Sequence, residues 1–344
     1  MNPIIAFIKL IRLPNLLIIA LTQYAIRFGV IYPIIYTFSG GQDIDGVGLK
    51  MTNLDFFLLS LSTVMIAAAG YIINDYFDVK VDRVNRPDKI IVGKYIKRRM
   101  AMGSHVVINT IAILIGGYLA YTLGNWKLIF IQLFCAGALW YYSTMFKKQV
   151  IVGNVVVALL AAMVPFVAGL YELILQHAFS DDTVNTLLFR LEQYTPFEEV
   201  EYLLIEILSN VMYWVLGFSL FAFVSTMIRE IIKDIEDYEG DKKYFSNTLA
   251  VVHGKVKAKI AAQGVALVML ALVGYLQYFQ LQGKDMASFM YFLFTIQLPL
   301  IYVIVKLQAA QEKADYAKLS MNMKLIMLMG ILYTAFFYYS TIHF

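Results

Sequence analysis

Apolar residues gather into long runs, separated at intervals by short charged stretches. Nine runs stand out, at roughly 14–37, 53–75, 104–122, 126–146, 152–171, 209–231, 260–280, 286–306 and 324–342. A helix rises about 1.5 Å per residue, so about 20 apolar residues cross a ~30 Å hydrocarbon core. The pattern predicts an all-α, polytopic membrane protein with nine transmembrane helices in a single membrane-embedded domain, residues 1–344. The first run follows only Lys9 and Arg12 and is long enough to remain a span, so no cleavable signal peptide is expected.

The polar positions set the orientation. Of the 28 Lys and Arg residues, 23 fall in the N-terminus, the 76–103 loop, the 147–151 turn, the 229–259 segment or the 306–324 loop. That asymmetry places these segments in the cytoplasm, with Phe344 outside. The second and sixth spans then run in the same direction, and their C-terminal ends reach the cytoplasmic face. Residues 172–208 form an outer insert. Thr195-Pro196-Phe197-Glu198 reads as a capping box with proline at the first helical position. Phe197, Val200, Leu203, Leu204, Ile207 and Leu208 oppose Glu198, Glu199, Glu201 and Glu206, which predicts an amphipathic helix on the bilayer surface or over the bundle. Ser39–Gly48 reads as a plain outer loop.

Composition agrees. The chain is 60% hydrophobic and 15% charged, against 45–50% and about 25% in soluble domains. Cys135 stands alone in an apolar run, so no intrachain disulfide forms and it reads as a small buried hydrophobe. His105, His177, His253 and His343 are scattered, without zinc spacing. No phosphate-cradling or dinucleotide glycine pattern occurs in a strand–helix context.

The candidate chemistry lies where two spans end. Asp75, Asp78 and Asp82 fall at i, i+3 and i+7, on one helix face, and Asp234, Asp237 and Asp241 repeat that spacing at a constant offset of 159 residues. Like charges on one face repel unless a cation neutralises them. Carboxylates at a membrane boundary, mixed with Lys and Arg, point to Mg²⁺ held for a phosphate-bearing ligand, since Mg²⁺ takes one or two carboxylates plus phosphate oxygens. Two clusters suit an ion on each side of a diphosphate. Arg83, Arg86, Lys89, Arg229, Lys233 and Lys242 are candidates for its remaining oxygens. Isolated loop acids are ordinarily just solvated; two matched trios on one face argue against that. A transporter would carry charge deep in several spans, and here only Arg27, one turn from Gln23, is clearly deep. Arg27 either faces a ligand cavity or forms a local pair. A non-catalytic scaffold has no need of matched trios.

These residues resemble a family. Asn74-Asp75-x-x-Asp78-x-x-x-Asp82, followed by Asn85-Arg86-Pro87-Asp88-Lys89, is similar to the first signature of the UbiA-type intramembrane prenyltransferase superfamily. Lys233-Asp234-x-x-Asp237-x-x-x-Asp241, with Asn247-Thr248-Leu249-Ala250 and Gly254, resembles its second. Arg12-x-x-Asn15 and Tyr142-Ser143…Lys147-Lys148…Gly153-Asn154 resemble its N-terminal and mid-chain elements. The resemblance implies nine helices around a central cavity open to the cytoplasmic side. It implies a prenyl diphosphate bound through Mg²⁺ and a lateral opening to lipid. Carried over, Asp78, Asp82, Asp237 and Asp241 are the catalytic ion ligands, with Asp75 and Asp234 as secondary ligands. Asn74 contacts the diphosphate or its ion, and Asn15, Tyr142 and Lys147 join the substrate-binding set. Tyr76, Tyr141 and Tyr142 are candidate faces for an allylic cation. Lys89 stands where many members have arginine, Ile90-Ile91-Val92-Gly93 replaces a Pro-rich ending, and the outer insert is long. Residues 229–241 look closest to the branch acting on geranylgeranylglyceryl phosphate, whose phosphate suits extra cations such as Arg27 or Lys94. The alternative acceptor is aromatic, hydroxybenzoate or dihydroxynaphthoate. The expected partners are prenyl diphosphate, this acceptor and the bilayer, with no nucleic acid and no obligate protein.

Overall fold

The structure is a computed structural model that describes residues 2–41, 47–191 and 196–343. Among the described residues it is helical throughout, with one isolated bridge between Val92 and Ile96. A short α1 (Pro3–Leu10) precedes α2 (Leu13–Ile26), which runs through a π turn at Arg27–Ile31 into α3 (Tyr32–Phe38). Then come α4 (Asn53–Asn85), α5 (Arg98–Thr122), α6 (Ile129–Thr144), α7 (Val152–Ala178), α8 (Ser180–Leu191) and α9 (Phe197–Glu236). Two short helices, α10 (Tyr238–Lys243) and α11 (Leu249–His253), lead to α12 (Lys255–Gln282). The chain closes with α13 (Met286–Phe292), a second π turn at Leu293–Gln297, α14 (Leu298–Ala309) and α15 (Lys313–His343).

Among the described residues, eight helical stretches are long and apolar enough to cross a membrane. The remaining expected span is α6, apolar but only 16 residues long, or about 24 Å of rise. It packs against α4, α5 and α7 within the bundle. The long helices read as integral to a membrane.

The long spans α7, α12 and α15 pack around α9, and α5 packs along α4. Small residues permit the closest approaches. A Cβ on Gly169 of α7 would lie 2.5 Å from Val215 of α9, and one on Gly330 of α15 would lie 2.2 Å from Phe221. Helices in lipid have no hydrophobic drive toward each other, so such close fits carry the association.

The outer insert differs from expectation. The stripe from Phe197 is not a separate surface helix: it is the start of α9, a 40-residue helix about 60 Å long. Val200 and Leu204 are buried against Val184 and Leu187 of α8, with Val47 alongside, so the stripe caps the bundle. Pro196 stands one place before the helix rather than at its first position. Thr195 lies outside the described residues, as do residues 42–46 of the outer loop and Phe344. In that loop Gly40 (φ +69) and Gly41 (φ +74) take the left-handed conformation that glycine adopts without steric cost. Cys135 is half-buried rather than buried.

Candidate active site

The first trio lies on α4 as expected. Two of its three carboxylates are already partnered: Asp75 by Arg12 at 2.8 Å, and Asp78 by Lys147 and by the Asn74 amide, Nδ2 to Oδ2, at 2.8 Å. Arg12 reaches Asp75 from a left-handed residue (φ +54) that turns α1 into α2. Lys147 comes from the short turn Phe146–Lys148 after α6.

The second trio does not share one continuous helix. α9 stops at Glu236, Asp237 is its C-terminal cap residue, and Asp241 belongs to α10. Asp234 accepts from Asn154 Nδ2 of α7 at 2.8 Å, and Asp237 pairs with Arg86 at 2.6 Å.

The two trios meet. Arg86 follows α4 yet grips Asp237. Asn85 donates to the Asp237 carbonyl at 3.0 Å and accepts from the Gly240 N–H at 2.9 Å. The Asp241 carboxyl is pushed up to about 7, first by burial and then by the negative charges of Asp237 and Asp78. Asp78 acts on it from the other trio.

Among the described residues, no three His, Cys, Asp or Glu side chains converge on a ready-made metal position. The donor set nonetheless fits a hard cation. It consists of oxygens, Asp237 Oδ1 is buried without a hydrogen-bond partner, and neither Asp82 nor Asp241 has an ion pair to another side chain among the described residues. Oxygen donors with unused lone pairs suit Mg²⁺.

The sequence pattern of the UbiA prenyltransferase family matches residues 46–328, which include both trios. The chain belongs to the UbiA prenyltransferase family. It is similar to the digeranylgeranylglyceryl phosphate synthase of Methanosphaera stadtmanae, 27% identical over 280 residues, covering 81% of this chain and 86% of that one. The enzyme of the same name from Sulfurisphaera tokodaii is 31% identical over 232 residues, 67% of this chain and 68% of that one. Two solved structures share the fold. One, from work on digeranylgeranylglyceryl phosphate synthase in membranes, has a TM-score of 0.58 at 20% identity and covers 100% of both chains. The other, a UbiA homologue from Aeropyrum pernix, has a TM-score of 0.55 at 14% identity and covers 91% of this chain and 97% of that one.

Within this UbiA prenyltransferase, several expected groups stand apart from the carboxylates. Arg83 and Lys89 are exposed. Lys242 is exposed and lies over the Tyr238 ring at 5.6 Å. Asn15 donates to the Tyr71 hydroxyl at 3.4 Å, and Arg12 lies over that ring at 4.8 Å. Tyr76 already carries Arg98 on its face at 4.3 Å, and Tyr141 is exposed beside Phe146. Tyr142 lies in the fields of Glu230, Asp234 and Asp78. Arg229 and Lys233 are drawn to Glu230, at 2.6 and 3.1 Å, instead of to the trios.

Arg12, Asn85, Asn154 and Glu230 were absent from the candidate site residues. Glu230 was the most accessible of these: a carboxylate inside an apolar run, one helical turn before Asp234. Arg27 is settled on the far side. It binds the Met51 and Thr52 carbonyls and Asn53 Oδ1, beside Phe56 at 4.5 Å. There it lines a cavity of about 840 Å³ between α2, the first π turn and α15, at the opposite end of α4 from Asp75.

Proposed function

We propose that this UbiA prenyltransferase moves a geranylgeranyl group from its diphosphate to the free hydroxyl of geranylgeranylglyceryl phosphate, with Mg²⁺ at the trios. The observation that carries the site is the meeting of the trios through Arg86–Asp237 and Asn85–Gly240, with Lys147 at Asp78. The names of the two relatives support the acceptor.

The acceptor oxygen forms a bond to the allylic carbon as that carbon's bond to the diphosphate breaks. The electron pair leaves with the diphosphate, and the alcohol releases its proton. Asp78, Asp82, Asp237 and Asp241 would hold Mg²⁺, which would supply positive charge to the leaving diphosphate. Lys147 and Arg86 stand beside those carboxylates and take phosphate oxygens, where preorganised charge favours the transition state over the ground state. Asn74 fixes the Asp78 carboxylate, and Asn85 fixes the backbone at Asp237 and Gly240 that carries the second trio. Asp75 and Asp234, tied to Arg12 and Asn154, orient the two ends. The ring of Tyr142 faces the developing carbocation.

The test is an acceptor panel. Membranes containing the protein receive labelled geranylgeranyl diphosphate, Mg²⁺ and either geranylgeranylglyceryl phosphate, hydroxybenzoate or dihydroxynaphthoate, with products read by mass spectrometry. A digeranylgeranyl ether is expected; prenylation of an aromatic acid alone overturns the acceptor. The trios and the N-terminus face the cytoplasm in this reading. With Cys135 replaced, an impermeant thiol reagent added outside intact cells should label Lys127→Cys and spare Lys89→Cys; the reverse inverts the topology.

A further inference from the structure

Beyond the trios, four cations crowd the space between α2, α9 and α15. Arg229 binds Glu230 at 2.6 Å, and Lys233 binds the same carboxylate at 3.1 Å. Lys324 of α15 lies in the fields of Arg229, Lys233, Arg12 and Glu230. Arg12 is paired with Asp75, and Asp234 faces Asn154. Glu230, which is buried, is the carboxylate that Arg229 and Lys233 bond, and Asp234 reaches Lys233 only through its field, so with Lys324 the cations outnumber the carboxylates. The Arg229 Nε is buried with no hydrogen-bond partner. Gathering like charges inside a bundle is costly unless an anion completes the set.

We propose that Arg229, Lys233 and Lys324 form the seat for the phosphate of the acceptor, separate from the seat of the donor diphosphate; this rests on the proposed acceptor. A phosphate monoester carries about −1.5 to −2 charges at neutral pH and would offset that excess. Cations bind its oxygens through charge-assisted hydrogen bonds, and Arg229 Nε is an unused donor. The seat is not the diphosphate's. Arg229 precedes Asp237 by eight residues along α9, or about 12 Å. A glyceryl phosphate keeps its free hydroxyl within a few bonds of its phosphorus, so a headgroup anchored here presents that hydroxyl toward the trios. Farther along, α2 and α15 also line the apolar 840 Å³ cavity, through Leu21, Tyr24, Ile331 and Ala335. That space accepts a prenyl chain attached to the same headgroup.

Lys324 lies outside both acidic signatures, so its substitution separates the two seats. In the purified full-length protein, Lys324→Met should raise KM for geranylgeranylglyceryl phosphate roughly 10- to 100-fold, the range for hydrogen bonds to charged groups. KM for geranylgeranyl diphosphate should stay within about twofold, and Lys324→Arg should restore acceptor binding. Removing a cation from a like-charged set should raise the unfolding temperature, whereas loss of a purely structural lysine would lower it. An unchanged acceptor KM, or an equal rise in the donor KM, overturns the seat. So does wild-type protein that prenylates the dephosphorylated alcohol as readily as the phosphate, although the reaction type then survives. Protein that ignores both and takes only an aromatic acid overturns the proposed function and the seat with it.

Discussion

Gly240 places its backbone N–H on Asn85 Oδ1 at 2.9 Å, and a Cβ added there would lie 2.4 Å from the Asn85 amide nitrogen. Asn85 is buried at the end of the first trio's helix, and Gly240 is buried one residue before Asp241. One amide thus fixes the distance between the two acidic segments. The obstacle to a side chain is space, not backbone conformation. Gly240→Ala should destabilise the protein by about 1–3 kcal/mol, the usual cost of overpacking, and slow transfer because Asp237 and Arg86 move with Asn85. Thermal unfolding in detergent, with Gly264→Ala as a control in open space on α12, checks this. Equal behaviour of the two variants would remove the latch from the account.

In the proposed reaction the carboxylates at the junction carry the charge. Asp78→Asn and Asp237→Asn keep the side-chain shape and lose the charge. Each should lower the rate roughly 100-fold or more. A chelator should abolish transfer, and added Mg²⁺ should restore it. Full activity in either variant sinks the assignment of that residue as a metal ligand.

Asp241 makes that dependence sensitive to pH. Its carboxyl is raised from 3.8 to about 7 by burial and by Asp237 and Asp78. A raised acid holds its proton in the folded state, so metal-free protein is stabilised at low pH and loses that contribution as pH rises from about 4 through about 7. Metal binding needs the ionised form and runs the other way. The Mg²⁺ concentration for half-maximal rate should therefore fall between pH 6 and pH 8, and Asp241→Asn should flatten the change. A requirement independent of pH in wild-type protein would contradict the role.

Arg27 holds the opposite end together. It satisfies two backbone carbonyls and the Asn53 side chain, and Glu172 lies in its field. Arg27→Met leaves those acceptors unmatched and should cost about 3 kcal/mol, read as a lower unfolding temperature. An unchanged unfolding temperature with weaker acceptor binding would instead make Arg27 a ligand group.

The helices were largely legible, because 20-residue apolar runs leave few alternatives in a membrane. The first trio was legible too, since Asp75, Asp78 and Asp82 obey the helical period within a single helix. The second was misread in detail: the same spacing crosses a break at Asp237 that no glycine or proline marks. The union of the outer stripe with the sixth span was hidden by its glutamates, which look like a surface face until α8 covers the apolar side. Side-chain pairing was the least legible. Whether Lys233 turns to Asp234 or to Glu230 depends on which rotamer the neighbouring helices allow.

The ion pairs at the trios have a further consequence for the order of loading. Lys147 and Arg86 neutralise Asp78 and Asp237, and they are also the cations beside the proposed diphosphate seat. A divalent ion competing for those carboxylates alone would strand two positive charges. A diphosphate arriving alone would strand the carboxylates. When both arrive together, each lysine or arginine trades a carboxylate for a phosphate, and the charge inside the bundle hardly changes. Each ligand thereby tightens the other reciprocally, and the protein counts substrate and ion as one visitor.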